Sequence, residues 1–209
     1  MSHFYRFALY VTRALFFLFL PVTFKGREKL PVTGGYIVTP NHVSLADPII
    51  VAHGYIKRQI HYMAKEEFYK NGFLRALFNA LGVFPVSRGK GDMEAINRGI
   101  TELQEGALVG IFPEGTRMHG TRPGRGKSGA ALIAKRAGVG VIPCAIITKD
   151  SKIRPLKRVI VKYGDPISYE ELFGDEQSSA ALKHATKLIM ERINLLMDEE
   201  GVPREDNNC

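Results

Sequence analysis

A histidine and an aspartate at a spacing suited to acid–base chemistry stand in the segment Asn41–Pro48, which reads NHVSLADP. Asp47 followed by Pro48 predicts the start of a helix, with Asp47 as its cap and Pro48 in the first turn. His42 then lies on the loop entering this helix, where a turn can fold its imidazole back onto Asp47. Such a pair fixes the imidazole tautomer and supports a general base. The alternative interpretation of this segment on its own is an ordinary loop histidine beside a helix cap.

A second candidate site is Phe112–Arg117, which reads FPEGTR and follows a predicted strand. Ligands of α/β sheets collect beyond the carboxyl ends of strands. Gly115 lets a backbone approach closely, and Arg117 offers a planar fork for a phosphate. The alternative for this string is a tight turn with a solvated arginine. Two more segments are strand-like. Gly82–Arg88 is a strand that ends in an arginine, and Val141–Ile146 reads as a core strand that shapes a pocket.

Strand-like and helical patterns alternate along the rest of the chain, which predicts an α/β layered fold with a mixed β-sheet flanked by helices. The predicted strands are 36–39, 60–63, 82–86, 107–112, 139–147 and 159–163. The predicted helices are 48–55, 73–81, 92–105, 129–137 and 178–197. The sequence contains no internal repeat and no linker, so we expect one domain over residues 26–198 and a disordered tail over 199–209.

The amino terminus is predicted to be a short, hydrophobic, amphipathic helix over residues 1–25 that lies on a membrane surface. Its longest uncharged run, Ala14–Phe24, has eleven residues. A helix of that length reaches about 16 Å, against a hydrocarbon core of about 30 Å. Basic residues flank or interrupt the run, as in helices that bind anionic lipid: Arg6, Arg13, Lys25 and Arg27. The alternative is a core helix whose aromatic side chains face inward.

The charge balance points to an anionic partner. The chain has 29 Lys and Arg against 21 Asp and Glu, a formal net charge of +8, and no acidic residue between Glu114 and Asp150. Phosphates, an anionic membrane, nucleic acid and an acidic protein all fit this excess. Nucleic acid is disfavoured, because no helix-turn-helix or RNP-like pattern occurs and the aromatic residues cluster near the amino terminus. The two cysteines, Cys144 and Cys209, offer neither a disulfide framework nor zinc spacing, so we expect no metal.

In this order and at these intervals, the four segments resemble the glycerolipid acyltransferase family, whose pattern is NHxxxxD, a GxFxxxR-like block, FPEGTR and VIPxxI. The resemblance covers roughly residues 26–166 and is closest to bacterial members that acylate 1-acyl-sn-glycerol 3-phosphate. Met63–Phe68 also looks like the lysine-containing KxEL block of the family. Two departures are a shorter hydrophobic part before NHxxxxD and Gly140 in place of a frequent proline.

The resemblance implies transfer of a fatty acyl group from acyl-CoA or acyl-ACP to the sn-2 hydroxyl of 1-acyl-sn-glycerol 3-phosphate, giving phosphatidic acid. His42 is implied as the general base and Asp47 as its orienting partner, in a direct transfer without a cofactor. Glycerol 3-phosphate or another lysolipid is the alternative acceptor. A non-catalytic module that binds anionic lipid is a further alternative, but it leaves the pairing of His42 with Asp47 unexplained.

The resemblance also implies the roles of the other site residues. Arg117, assisted by Arg88 and Lys65, is implied to bind the substrate phosphate. Glu114 is implied to organise its loop, with a contact to the His42 loop as a further role, and backbone N–H groups near Gly115 to bind the oxyanion. The expected location is the cytoplasmic face of the cell membrane, as a peripheral or monotopic protein.

Overall fold

The structure, a computed structural model, describes residues 2–86, 93–118, 120–149, 152–174 and 179–204. Within these residues the chain forms seven strands and seven α-helices. The strands are β1 (Val22–Lys25), β2 (Tyr36–Pro40), β3 (Ile60–Lys65), β4 (Phe84–Val86), β5 (Leu108–Gly110), β6 (Gly140–Thr148) and β7 (Val159–Tyr163). The helices are α1 (His3–Phe19), α2 (Asp47–Gly54), α3 (Gly72–Ala80), α4 (Met93–Gln104), α5 (Gly129–Ala137), α6 (Tyr169–Phe173) and α7 (Ser179–Asp198).

The strands form one mixed sheet in the order β1-β7-β6-β2-β5-β3-β4. β2 lies at the centre between β6 and β5, and the five strands β2 to β6 all run parallel to their neighbours in this group. β7 runs antiparallel to β6, and β1 runs parallel to β7. The five parallel strands therefore end at the same edge of the sheet, called here the carboxyl edge. Ligands of α/β folds bind at such an edge.

Apolar side chains cover both faces of the sheet. Ile37 and Val38 are both fully buried, and they belong to separate core clusters because successive strand residues point to opposite faces. Ile37 faces the layer that contains α4, α5, α6 and α7, whereas Val38 faces the layer that contains α1 and α2. Burial of one such side chain stabilises the fold by about 1.5–3 kcal/mol. The central strand is thus fixed from both sides, and with it the loop that follows.

All six predicted strands and all five predicted helices are present, and each predicted end that falls on a described residue differs from the observed end by no more than two residues. The predicted helix starts at 92 and 178 lie outside the described residues. The mixed sheet flanked by helices is confirmed. The structure adds β1 and α6, which the sequence patterns did not indicate.

The amino-terminal helix is shorter than the predicted span of residues 1–25. It ends at Phe19, and Val22–Lys25 joins the sheet as β1, paired with residues of β7 from Val159 onward. Pro21 cannot continue a helix, and the Val-Thr-Phe run after it has high β-propensity. Hydrophobicity alone does not separate the two elements. None of the helices in the described ranges is both long enough and apolar enough to cross a bilayer.

The carboxyl-terminal tail also differs from the prediction of disorder from residue 199 onward. Glu200 accepts hydrogen bonds from Lys25 at 2.9 and 2.7 Å and from Lys162 at 2.8 Å. Val202 packs against the core. The tail thereby links α7 to β1 and β7 through residues that are distant in sequence. Residues 205–209 lie outside the described residues.

Candidate active site

The loop after β2 begins with an anchored asparagine. The side-chain amide of Asn41 donates to the carbonyl of Ile146 at 3.0 Å, and its oxygen accepts from the N–H of Ile146 at 2.6 Å. Asn41 is buried and Ile146 lies on the neighbouring strand β6. The side chain therefore continues the sheet's hydrogen bonding by one residue, and it fixes where the chain leaves β2 just before His42.

His42 and Asp47 form a hydrogen-bonded pair at the carboxyl edge. Nδ1 of His42 lies 2.8 Å from Oδ2 of Asp47, and the N–H groups of Val43 and Ser44 donate to the same oxygen at 2.7 and 2.8 Å. The Asp47 side chain is fully buried, whereas the His42 side chain is 13% exposed. Because the carboxylate faces Nδ1–H, the lone pair that can take a proton lies on Nε2. The pair has the geometry of a general base with its orienting carboxylate.

Asp47 does not cap α2 as the sequence predicted. The helix begins at Asp47 itself, Ala46 occupies the cap position without a side-chain hydrogen bond, and Pro48 lies in the first turn as expected. The Asp47 carboxylate instead turns back toward the preceding loop, where it binds the N–H groups of Val43 and Ser44. These bonds close the loop into the turn that brings His42 onto Asp47.

Phe112 holds the imidazole from a second direction. Its ring stacks on His42 with centroids 3.9 Å apart and planes 22° apart, and the centroid of the Tyr62 ring lies 6.1 Å from that of Phe112. A ring that is stacked and hydrogen-bonded at Nδ1 has little freedom to rotate. Phe112 belongs to the FPEGTR segment, but no sequence pattern indicates its contact with His42.

Glu114 connects the two candidate segments. Its Oε2 accepts the N–H of His42 at 2.8 Å, and its Oε1 accepts the N–H of Gly124 at 2.7 Å. The residue is buried, and burial raises the pKa of the Glu114 carboxyl, while the hydrogen bonds from His42 and Gly124 act in the opposite direction. Glu114 thus organises its own loop and also contacts the His42 loop, so both predicted roles fit its position.

Gly115 has a backbone conformation and surroundings that favour glycine. Its φ is +68°, and a Cβ there would lie 3.0 Å from Cδ and 3.1 Å from Nζ of Lys127. Lys127 therefore lies across the FPEGTR loop, and its own N–H donates to the carbonyl of Pro113 at 2.7 Å. The N–H of Gly115 donates to the carbonyl of Phe112 at 3.0 Å, so it is not available to an oxyanion. The predicted oxyanion donors are then other backbone N–H groups of this loop. Nothing in the sequence singled out Lys127.

Two of the three predicted phosphate-binding residues, Arg117 and Lys65, lie at the carboxyl edge. Arg117 is exposed, and its loop runs beside His42 because the N–H of Met118 donates to the carbonyl of His42 at 2.8 Å. Lys65 ends β3 and is 41% exposed, with Nζ 2.6 Å from a carboxylate oxygen of Glu67. An exposed pair of this kind is weak, so it leaves Lys65 available to a stronger anion. Arg88 lies outside the described residues.

Cys144 is not placed for covalent chemistry. The residue is fully buried in β6, and burial raises the pKa of its thiol well above the ordinary value. A thiol that is neutral and inaccessible cannot act as a nucleophile. Across the described ranges, no group of three or more His, Cys, Asp or Glu residues could hold a metal ion.

An apolar cavity of about 100 Å³ lies under α1, next to the first turn of α2. Its wall includes Leu9 of α1, Pro48 and Ile49 of α2, and Tyr62 of β3. The Tyr62 hydroxyl is buried and has no hydrogen-bond partner among the residues that the structure describes. Since Pro48 directly follows Asp47, this hydrocarbon-like space lies close to the His42–Asp47 pair.

Comparisons with known proteins identify the family of this chain. A family model described as Acyltransferase matches residues 21–147, which include both candidate segments. The chain is 31% identical over 172 residues to the 1-acyl-sn-glycerol-3-phosphate acyltransferase of Bacillus subtilis, covering 81% of this chain and 85% of that protein. It is 30% identical over 142 residues to the protein of the same name from Streptococcus pneumoniae, covering 66% of this chain and 52% of that protein.

The fold is also similar to a solved structure, the 1-acyl-sn-glycerophosphate (LPA) acyltransferase PlsC from Thermotoga maritima. The TM-score is 0.72 at 24% sequence identity, covering 97% of this chain and 83% of that chain. At this identity the likeness shows the fold alone. The family model covers more than half of the chain, and the Bacillus relative is similar over most of both proteins. This chain therefore belongs to the acyltransferase family and is an enzyme.

Proposed function

We propose that this enzyme transfers a fatty acyl group from an acyl thioester to the sn-2 hydroxyl of 1-acyl-sn-glycerol 3-phosphate. The observation that carries the proposal is the pair of His42 and Asp47, with Nδ1 and Oδ2 2.8 Å apart at the carboxyl edge. Glu114 ties this pair to the arginine-containing loop. The Bacillus and Streptococcus relatives are named for this acceptor, which supports the choice.

In the proposed mechanism His42 acts as a general base and then as a general acid. Nε2 takes the proton of the acceptor hydroxyl as its oxygen attacks the thioester carbonyl carbon. The tetrahedral intermediate then expels the thiolate as the C–S bond breaks, and the imidazolium returns the proton to sulfur. Asp47 holds the tautomer at Nδ1 and stabilises the imidazolium. The products are phosphatidic acid and a free thiol, and no acyl-enzyme forms.

Cations at the carboxyl edge would bind the acceptor's phosphate. Arg117 is exposed on a loop that contacts His42, and its planar guanidinium suits a phosphate. Lys65, with Arg88 from outside the described residues, would complete the clamp. Lys127 adds a further ammonium beside Gly115. A lysolipid phosphate is a multiply charged anion, so several cations around it are reasonable.

The outward face of α1 is suited to a membrane surface. Six large hydrophobic residues are exposed on it: Phe4, Phe7, Tyr10, Val11, Leu18 and Phe19. Its inner face is tied to α2, where His53 contacts Thr12 Oγ1 and the carbonyl of Leu9, each at 3.1 Å. Arg6 and Arg13 are both exposed and lie seven residues apart, so they share one flank of the helix. We infer peripheral attachment at the cytoplasmic face of the membrane, where a two-chain product could enter the bilayer.

The test is a transfer assay with purified protein and radiolabelled acyl-CoA or acyl-ACP. The acceptors are 1-acyl-sn-glycerol 3-phosphate and glycerol 3-phosphate. We expect product only from the lysolipid, and the donor that supports the higher kcat/KM identifies the carrier. Preferred acylation of glycerol 3-phosphate would refute the proposed acceptor.

A second variant tests the phosphate clamp. Arg117→Lys keeps the charge but loses the two-pronged geometry, so we expect a higher KM for the lysolipid and little change for the acyl donor. Arg136→Lys, an exposed arginine on α5, is the matched control. Equal effects of Arg117→Lys on both substrates would argue against its assignment to phosphate.

A further inference from the structure

The loop between β6 and β7 carries an unusual combination of charge and exposed hydrophobic surface. Residues 152–158, called here the 152–158 loop, read KIRPLKR and contain four cations and no acid. Leu156 at its centre is 75% exposed. The four cations are also exposed: Lys152, Arg154, Lys157 and Arg158. An apolar tip within a ring of positive charge is typical of a segment that enters an anionic interface.

The backbone holds Leu156 outward. The N–H of Lys157 donates to the carbonyl of Arg154 at 3.2 Å, which closes a β-turn with Pro155 and Leu156 at its centre. Leu156 has φ +61°, a conformation that a type II turn requires at this position and that glycine normally supplies. A leucine there is conformationally unfavourable and is not buried by the protein itself. Neither the turn nor the core explains why a large apolar side chain stands at this position.

The 152–158 loop is joined to the end of α1. The N–H of Leu156 donates to the carbonyl of Phe19 at 2.7 Å, and the N–H of Val159 donates to the carbonyl of Pro21 at 3.1 Å. Leu18 and Phe19 are 64% and 56% exposed. The exposed apolar face of α1 therefore ends next to Leu156. β6 runs parallel to β2, so the loop also stands at the same edge of the sheet as His42.

We propose that the 152–158 loop is a second contact of this enzyme with an anionic lipid surface, in which Leu156 enters the interface and the four cations bind lipid headgroups. The proposal extends the membrane attachment inferred for α1 and rests on it for orientation. Two contacts, one on each side of the loop–helix junction, would define which side of the domain faces the bilayer. An acidic carrier protein would also bind these cations, but it offers no reason for an exposed leucine that continues a hydrophobic helix face.

The first test removes the apolar tip without harming the fold. Leu156→Gly suits the positive φ, so the variant should keep or raise the thermal midpoint of unfolding. Sedimentation with phosphatidylcholine vesicles, with and without phosphatidylglycerol, measures binding of the full chain. We expect Leu156→Gly to lose about tenfold in partitioning on both vesicle types. Val32→Gly is the matched control, because Val32 is 62% exposed before β2, at the opposite edge of the sheet, and should bind as the wild type.

The second test separates charge from hydrophobic insertion. Lys157→Gln combined with Arg158→Gln should weaken binding about fivefold per charge removed on vesicles with phosphatidylglycerol, and leave binding to pure phosphatidylcholine unchanged. Lys183→Gln with Lys187→Gln on α7 is the control, since α7 covers the other face of the sheet from α1.

Wild-type vesicle binding by Leu156→Gly would overturn the proposal. A charge variant that binds vesicles normally but shows a higher KM for acyl-ACP would also overturn it, and would assign the loop to the carrier protein. Acyl transfer to lysolipid in detergent micelles is measured in parallel and should be unchanged in the loop variants. If the wild type fails to acylate the lysolipid while the loop variants lose vesicle binding, the proposed acceptor is wrong and the membrane contact stands.

Discussion

Replacement of Glu114 by glutamine changes one carboxylate oxygen into an amide group and tests how the two site loops are held together. In the native protein both oxygens accept backbone N–H groups, from His42 at 2.8 Å and from Gly124 at 2.7 Å. Glutamine has a single acceptor oxygen. Its NH2 group must then face one of the two N–H groups, and two donors in a buried site repel each other.

The expected loss follows from these two bonds. A hydrogen bond to a charged group contributes about 1.5–3 kcal/mol, and a buried donor left without an acceptor is unfavourable by about 1–3 kcal/mol. Removal of a buried charge offsets part of this loss, because burial disfavours the ionised carboxyl. We expect a net destabilisation of about 1–3 kcal/mol, which corresponds to a fall in Tm of roughly 2–12 °C for a domain of this size.

Activity should fall because His42 is displaced, not because its acid–base chemistry changes. Glu114 binds the backbone of His42, so its loss lets the imidazole move relative to the acceptor hydroxyl. A displacement near 1 Å reduces turnover by about 10²-fold, and smaller shifts by less. We expect kcat to fall about 10- to 100-fold, with KM for both substrates nearly unchanged.

The pH dependence gives a signature that a general packing defect would not produce. Burial raises the pKa of Glu114 above its unfolded value. The folded protein then binds more protons than the unfolded chain between the two pKa values, so stability falls as pH rises through this window. Glutamine does not titrate. The gap in Tm between wild type and Glu114→Gln should therefore be widest at the acid end and narrow as pH rises.

The assay combines thermal unfolding from acidic to neutral pH with steady-state transfer kinetics. Glu94→Gln is the control, since Glu94 is exposed on the first turn of α4 and should change neither Tm nor kcat appreciably. A Glu114→Gln variant with native Tm and native kcat would refute the role of Glu114 as the link between the two loops.

Three further substitutions test other parts of the structure. Asp47→Asn should lower kcat by about 10²–10⁴-fold in an otherwise folded protein, because the amide oxygen can take the place of Oδ2 but carries no charge to stabilise the His42 imidazolium; transfer kinetics and circular dichroism check this. Gly115→Ala should destabilise the protein by about 1–2 kcal/mol in urea unfolding, because φ is +68° and the Cβ meets Lys127; native stability would contradict this. Glu200→Gln should lower Tm at neutral pH, because ion pairs with two lysines depress the pKa of Glu200. That difference should disappear as pH falls below the usual glutamate pKa, and a difference that persists in acid would contradict the ion-pair explanation.

The local spacing of apolar residues was sufficient to predict the helices and strands that bury one regular apolar face. The spacing of apolar residues predicted α5 and β7 to the residue, and the position of His42 before an Asp-Pro helix start predicted its approach to Asp47. The second site segment follows a predicted strand, and the rule that ligands collect beyond the carboxyl ends of strands predicted it as part of a site. These features depend on neighbours in sequence or on general rules of α/β topology.

Other features depend on partners that are distant in sequence. β1 is a short edge strand directly after a hydrophobic helix, and its pairing with β7 fixes it as part of the sheet. The position of the chain at Glu200 depends on the hydrogen bonds that Lys25 and Lys162 donate to its carboxylate. Lys127 reaches Gly115 because its loop folds back across the site. No periodicity or motif carries such information, since each contact is fixed by the assembled fold.

The proposed mechanism is tested most sharply by the rate of acyl transfer to 1-acyl-sn-glycerol 3-phosphate by His42→Ala, measured in detergent with purified protein and a labelled acyl thioester. His184→Ala is the control, because His184 is exposed on α7. A general base typically contributes about 10²–10⁴-fold to the rate. The rate of the His42 variant should therefore fall by about this factor, while its Tm stays within a few degrees of the wild-type value. Turnover near that of the wild type in a folded His42→Ala protein would contradict the assignment of His42 as the base and the mechanism built on it.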